Sequence, residues 1–157
     1  MSIIRNKAAF LGEIKHAPIK QEATFKKRVL DTTWMLHTEI TWHTPVWSGE
    51  ALASYVWSAG SPSGEGPREP IDTGPPGHTN SMSIGEEPRR NANQQEADES
   101  YEKLNFSNPY QYFYLNNNAP HIGGLEYGLL PEDPLRQRSP NGMFGLALAL
   151  VEAKLGT

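Results

Sequence analysis

The amino-acid sequence predicts an α+β domain: a small antiparallel sheet packed by one long N-terminal helix and a C-terminal helix, with a long loop insertion. Three observations lead there. Residues 17–43 keep a helical apolar period with no breaker after Pro18. Two runs with β character, 51–59 and 108–118, can pair as strands. Between them, residues 60–90 are dominated by Gly, Pro, Ser and charge. At 157 residues a single domain, 1–157, is the default.

Residues 1–17 alternate short apolar pieces (Ile3, Ile4, Phe10, Leu11, Ile14) with basic ones. They read as an N-terminal arm, either a frayed end or a segment that packs on a neighbouring subunit. The helix follows, from Pro18 in a first-turn position to His43. Phe25, Val29, Leu36 and Ile40 lie on one stripe with Thr33 between them, widened by Leu30, Trp34 and His37. Lys20, Lys27, Asp31 and Glu39 take the opposite face. Pro45 disfavours α geometry at Thr44 and stops the helix. Such a rod, roughly 36 Å long, needs a sheet or a partner to cover it.

Pro45 and Gly49 then punctuate a turn, and Ala51, Ala53, Tyr55, Trp57 and Ala59 alternate as in a strand. In 60–90 the only aliphatics are Ile71, Met82 and Ile84, too few to offset the ordering entropy. This is expected to be a loop that orders against a neighbour. Residues 91–104 favour a short polar helix with only Ala97, Tyr101 and Leu104 as apolar face, hence peripheral; it completes an insertion spanning 60–105. At 108–118, Tyr110, Tyr112 and Tyr114 alternate with Gln111, Phe113 and Leu115, so both faces are expected to be covered. This strand should pair antiparallel with 51–59. Gly123-Gly124 and Gly128 suggest a sharply bent chain. After a Pro-rich connection, 129–140, Asn141 can cap a last helix, Gly142 to Leu155, ended by Gly156.

Composition narrows the functional classes. Formal charge is −4, which leaves no basic footprint for tight phosphate binding. There are no cysteines, hence no disulfides, thiolate metal sites or cysteine nucleophiles, as suits a reducing cytoplasm. The start of the chain has too little apolar length for a signal peptide. No apolar run approaches the roughly 20 residues of a membrane span, so a soluble chain is expected. Gly (14) and Pro (13) make up about one residue in six, which predicts long irregular connections.

Candidate chemistry is thin. His37 and His43 point to different helix faces, and Glu39 and His43 can share one, but no further ligand is near. His16, His78 and His121 are isolated, so no metal and no cofactor is expected. Asp72-Thr73-Gly74 is the aspartic-protease tripeptide, here in a Pro-rich loop without the rigid seat a catalytic carboxylate needs. Ser48 lacks a nucleophile-elbow pattern. Glu126 with Tyr127 can be read as an acid–base pair. The more economical reading has Glu126 satisfying backbone donors, or an arginine across an interface, and Tyr127 anchoring the turn. Trp34 and Trp57 are expected in the core; Trp42 and Trp47 flank a turn and are expected at an interface, where indoles often dominate binding. Tyr112 and Tyr114 on the second strand, with Glu126 and Tyr127, complete the candidate interface set. No catalytic residues are expected.

An ordered set of short motifs goes further. After the long helix come Thr44, Pro45, Val46, Gly49, Leu52 and Ser54, then Asn116 and Asn117, then Leu125-Glu126-Tyr127-Gly128, then Pro140-Asn141-Gly142-Met143 before an apolar helix. This order resembles the tail-completion, or head–tail joining, neck proteins of long-tailed bacteriophages, over about two thirds of the chain. Trp47-Ser48-Gly49 stands where that family usually has Asp-Thr-Gly, His121-Ile122 where it usually has Tyr-Ala, and the insertion is long.

The resemblance implies a structural virion protein, not an enzyme. It would form a homo-oligomeric ring at the head–tail interface, a hexamer or alternatively a dodecamer, assembled in the bacterial host cytoplasm. Its partners would be itself, the head connector or stopper, and the tail terminator or tail tube. Genomic DNA would pass through the lumen without sequence-specific binding, as mild acidity allows, and no membrane is involved. The alternatives are a small hydrolase using Asp72 or a Glu–His pair, and a generic protein-binding adaptor.

Overall fold

The computed structural model describes residues 7–46, 49–71, 86–127, 129 and 142–156. Among them the elements run α1 (Lys7–His43), α2 (Glu50–Ala53), β1 (Tyr55–Ala59), α3 (Glu86–Glu102), β2 (Phe113–Asn117), α4 (Ile122–Glu126) and α5 (Phe144–Leu155). The architecture is α+β, as expected. β1 and β2 form a two-stranded antiparallel sheet with Tyr55 opposite Asn117 and Ala59 opposite Phe113. No described helix is long and apolar enough to cross a membrane.

α1 is 37 residues, a rod of about 55 Å. It starts at Lys7, so Pro18 lies inside it and not in its first turn. Proline there removes one ladder bond, which an exposed helix can leave to water. The helix stops at His43, ahead of Pro45, as the sequence predicts. Its buried face differs from the expected stripe. Ile40 is buried and Leu36 partly so, but Phe25 is exposed, and Trp34 is 51% exposed rather than in the core. Thr33 and His37 of the expected stripe are buried, and Thr41 and, just past the helix, Thr44 are buried with them. Polar residues can do this because each threonine hydroxyl returns its proton to the carbonyl four residues back, at 2.7–2.9 Å.

The stretch at 51–53 is helical, not the start of a strand: Gly49, at φ 95°, reverses the chain and α2 follows as one turn. A Cβ on Gly49 would lie 2.2 Å from the Asn93 side chain, so the position excludes larger residues. The sheet begins only at Tyr55.

The second correction concerns α3. It starts before residue 91 and is central, not peripheral. Asn93, Ala97, Ser100 and Tyr101 are buried, and α3 packs on both α2 and β1. Its polar residues are buried because they are used. Ser100 Oγ accepts the Trp57 backbone N–H at 2.7 Å, and Asn93 Oδ1 accepts that of Ile71 at 2.9 Å. The described part of the insertion, 60–71, is irregular yet tied down. Arg68 N–H donates to Ser54 Oγ at 3.0 Å and its guanidinium to the Glu96 carbonyl at 3.2 Å.

Ile40, Leu52, Tyr55, Ala97, Ala119, Leu125, Met143 and Ala147 make the core. Trp57 is buried, as expected. All five residues of β2 are half-buried; Phe113 stacks on Phe106 and Leu115 packs on the core. Where the glycines predict a bend, a short helix, α4, forms instead. α5 packs along α1, with Lys154 bonded to Glu39 and His43 3.6 Å from the same carboxylate. Gly156, at φ 72°, ends α5 as expected.

Candidate functional site

Two places gather polar chemistry. The first is a junction at the end of α1. Thr44 gives its proton to the Ile40 carbonyl at 2.7 Å and accepts one from the fully buried Tyr55 hydroxyl at 2.9 Å. The Met143 sulfur lies 3.9 Å from that hydroxyl. Burial pushes the Tyr55 pKa well above the ordinary phenol value, so it stays a neutral donor. Asn117 ties β2 in: its Nδ2 donates to the Ala51 carbonyl at 2.6 Å and its Oδ1 accepts the Ala119 N–H at 3.0 Å.

Glu126 closes the junction. Its carboxylate accepts the backbone N–H groups of Met143, Phe144 and Gly145 at 2.7, 2.9 and 3.0 Å. These are orphan donors at the start of α5, where the helix dipole also favours an anion. Of the two roles open to Glu126 from the sequence, satisfying backbone donors is the one observed within the chain. Gly142, at φ 78°, is required beside it: a Cβ there would lie 2.5 Å from the Glu126 carbonyl. α5 begins at Phe144 with Met143 in the N-cap position, not at Gly142 with Asn141 as its cap; Asn141 itself lies outside the described residues. Tyr127 closes α4 through its backbone N–H on the Gly123 carbonyl at 3.0 Å. Its ring is 77% exposed and is not the anchor.

The second place is a cleft of about 260 Å³ between α1 and α3. Trp34, Thr38 and Trp42 form its α1 wall, with Arg90, Gln94 and Asp98 on α3. Trp42 is 57% exposed. The Arg90 guanidinium donates to the Thr41 and Thr44 carbonyls at 3.0 and 2.6 Å, capping α1, and lies 6.0 Å from the Trp42 ring centre. At the floor is His37. Trp57 Nε1–H donates to its Nδ1 at 3.1 Å, so its Nε2 carries the proton and donates to Asp98 Oδ1 at 2.7 Å. Gln94 Nε2 also donates to Asp98 Oδ1, at 2.7 Å. Burial lowers the His37 pKa, and the Asp98 hydrogen bond and charge only partly offset that. Both ring nitrogens are engaged, so His37 serves as a structural cross-link; to act as a base it must first lose Trp57.

The remaining sequence candidates fall apart in space or outside the described residues. Tyr112 is 76% exposed, Tyr114 half-buried, and their rings are 6.3 Å apart. His121 faces Glu50 at 3.6 Å. Trp47, Ser48, Asp72-Thr73-Gly74 and His78 lie outside the described residues. Among the described residues no group of three or more His, Asp or Glu could hold a metal. Sequence reasoning missed the cleft. Its one visible signal was the spacing Trp34, Thr38, Trp42, which puts three residues on one helical stripe. No family model, curated protein or solved structure matches the chain.

Proposed function

We propose that the chain is a structural virion protein: a ring subunit at the head–tail junction of a long-tailed phage, joining head connector to tail and leaving a channel for DNA. The observation that carries this reading is the convergence of the motif residues. Thr44, Asn117, Glu126, Gly142 and Met143 are scattered over a hundred residues, yet each holds the junction at the end of α1. Motif residues that serve as scaffolding in this way are what a building block requires, whereas an enzyme's signature would surround a cleft. The open aromatics Trp42, Tyr112 and Tyr127 supply contact surface beyond what one chain covers.

The full chain is expected to form a closed ring, of six copies or alternatively twelve, by mass photometry and negative-stain imaging. Asp72→Asn is expected to leave assembly unchanged. A sample that stays monomeric at tens of micromolar and hydrolyses a substrate in an Asp72-dependent way would overturn the proposal.

A further inference from the structure

We infer that the outer half of α1, residues 18–28, docks in the Trp34–Trp42 cleft of a second copy of this chain. The inference deepens the ring reading and rests on it for its biological setting. Residues 18–28 are exposed apart from the half-buried Lys26, and the one ring contact they make within the chain is Phe25 stacked on Tyr110 at 5.0 Å, among the described residues. They carry Lys20, Lys26, Lys27 and Arg28 against Glu22 alone. Among the described residues Lys20, Lys26 and Arg28 have no ion-pair partner; Lys27 pairs with Asp31 one turn on. Ile19, 64% exposed, adds an apolar contact on the same segment.

The cleft offers the complementary chemistry. Two half-open indoles flank the exposed Thr38, and the Asp98 carboxylate, 38% exposed, lies on the other wall. Glu102, four residues on from Asp98, extends the acidic stripe along α3. Lysine and arginine stems lie well on indole faces while their cations reach a carboxylate. Arg90 is held by the carbonyls ending α1 and lies 6.0 Å from the Trp42 ring centre, so the Trp34 side of the cleft, beside Asp98, is the part left for an incoming cation.

Geometry excludes the chain's own arm, and the arm's charge matches the cleft of another copy. The basic segment and the indole stripe ride on one continuous helix, with Lys27 and Trp42 about 20 Å apart along its axis. A straight helix cannot fold its own outer half into a cleft on its inner half. The contact is therefore head-to-tail, each copy giving an arm and receiving one, which closes as a ring or grows as a chain.

The test uses the full chain and two surface variants, Lys26→Glu/Arg28→Glu (arm) and Thr38→Arg (cleft). Each is first checked to melt like the parent by circular dichroism. Sedimentation velocity and mass photometry are then run at low and high salt. The parent is expected to assemble, and each variant alone to associate at least about ten-fold more weakly. A one-to-one mixture should give a discrete heterodimer and stop there, because one intact arm meets one intact cleft. Assembly of either variant at parental strength, a mixture without heterodimer, or a parent monomeric throughout overturns the inference. Rings that survive both substitutions would sink this contact and leave the ring reading standing. Arm-dependent association that yields only open chains would do the reverse.

Discussion

The junction at the end of α1 and the outer half of the same helix obey opposite rules. At the junction, Thr44, Tyr55, Asn117 and Glu126 each find partners within the chain. Fifteen or more residues earlier, the same helix presents most of its cations and Ile19 to water. Buried polar groups must be satisfied locally or they cost the fold dearly, whereas an exposed segment is free to carry chemistry meant for something else. The first region therefore reports on how the subunit holds together, and the second on what it meets.

That contrast breaks first at Gly142. Gly142→Val adds a branched side chain at positive φ, against the Glu126 carbonyl. It is expected to cost more than about 3 kcal/mol in chemical denaturation; a loss under 1 kcal/mol would mean that the junction is loose. Next comes Glu126→Ala, which orphans three backbone N–H groups and is expected to cost about 2–3 kcal/mol. Glu126→Gln should recover part of this, since one acceptor oxygen remains.

His37 sharpens the comparison through pH. Its folded pKa lies below the 6.5 of the unfolded chain, so the unfolded state takes up the proton first. The stability from neutral His37 is present in full above pH 6.5. It drains as pH falls toward and through the lower folded value, by at most about 1.4 kcal/mol per pH unit. His37→Gln should flatten this part of the stability–pH curve. A curve of unchanged slope in the variant would assign the titration to another group. The smallest effect on stability is expected at Ile19. Ile19→Ser should shift the unfolding free energy by no more than about 0.5 kcal/mol while weakening self-association, and a large loss of stability there would show the arm to be part of the core.

What the sequence made legible followed from punctuation and period. Pro45 marked the end of α1, Gly156 the end of α5, and the aromatic alternation located β2 and its antiparallel partner, although the strand begins at Phe113 and leaves Tyr110 and Tyr112 before it. The class of fold followed from these. The hidden part was polar burial. Period-based reading places Trp34 inside and passes over Thr41, because it ranks side chains by transfer from water. The chain instead lets threonines bond back to their own helix, and lets Ser100 and Asn93 cap loose backbone elsewhere. Tertiary hydrogen bonds overrode hydrophobicity, which is also why α3 looked peripheral. At 51–53 the alternating alanines suit a helical turn equally well, and Gly49 chose between them by meeting Asn93. For the candidate interface, Trp42, Tyr112 and Tyr127 were legible as aromatics near turns. Asp98 and Arg90 were not, since nothing in their neighbourhood of the sequence says that α3 crosses α1.

The way Glu126 grips the start of α5 bears on how such a chain can change over evolutionary time. The helix is positioned by a residue seventeen positions before Met143, so the stretch between them need only bridge a gap. Closing a longer bridge is cheap, about 0.6 kcal/mol for each doubling of length. The chain length between these two anchors can therefore change while α4 and α5 stay put.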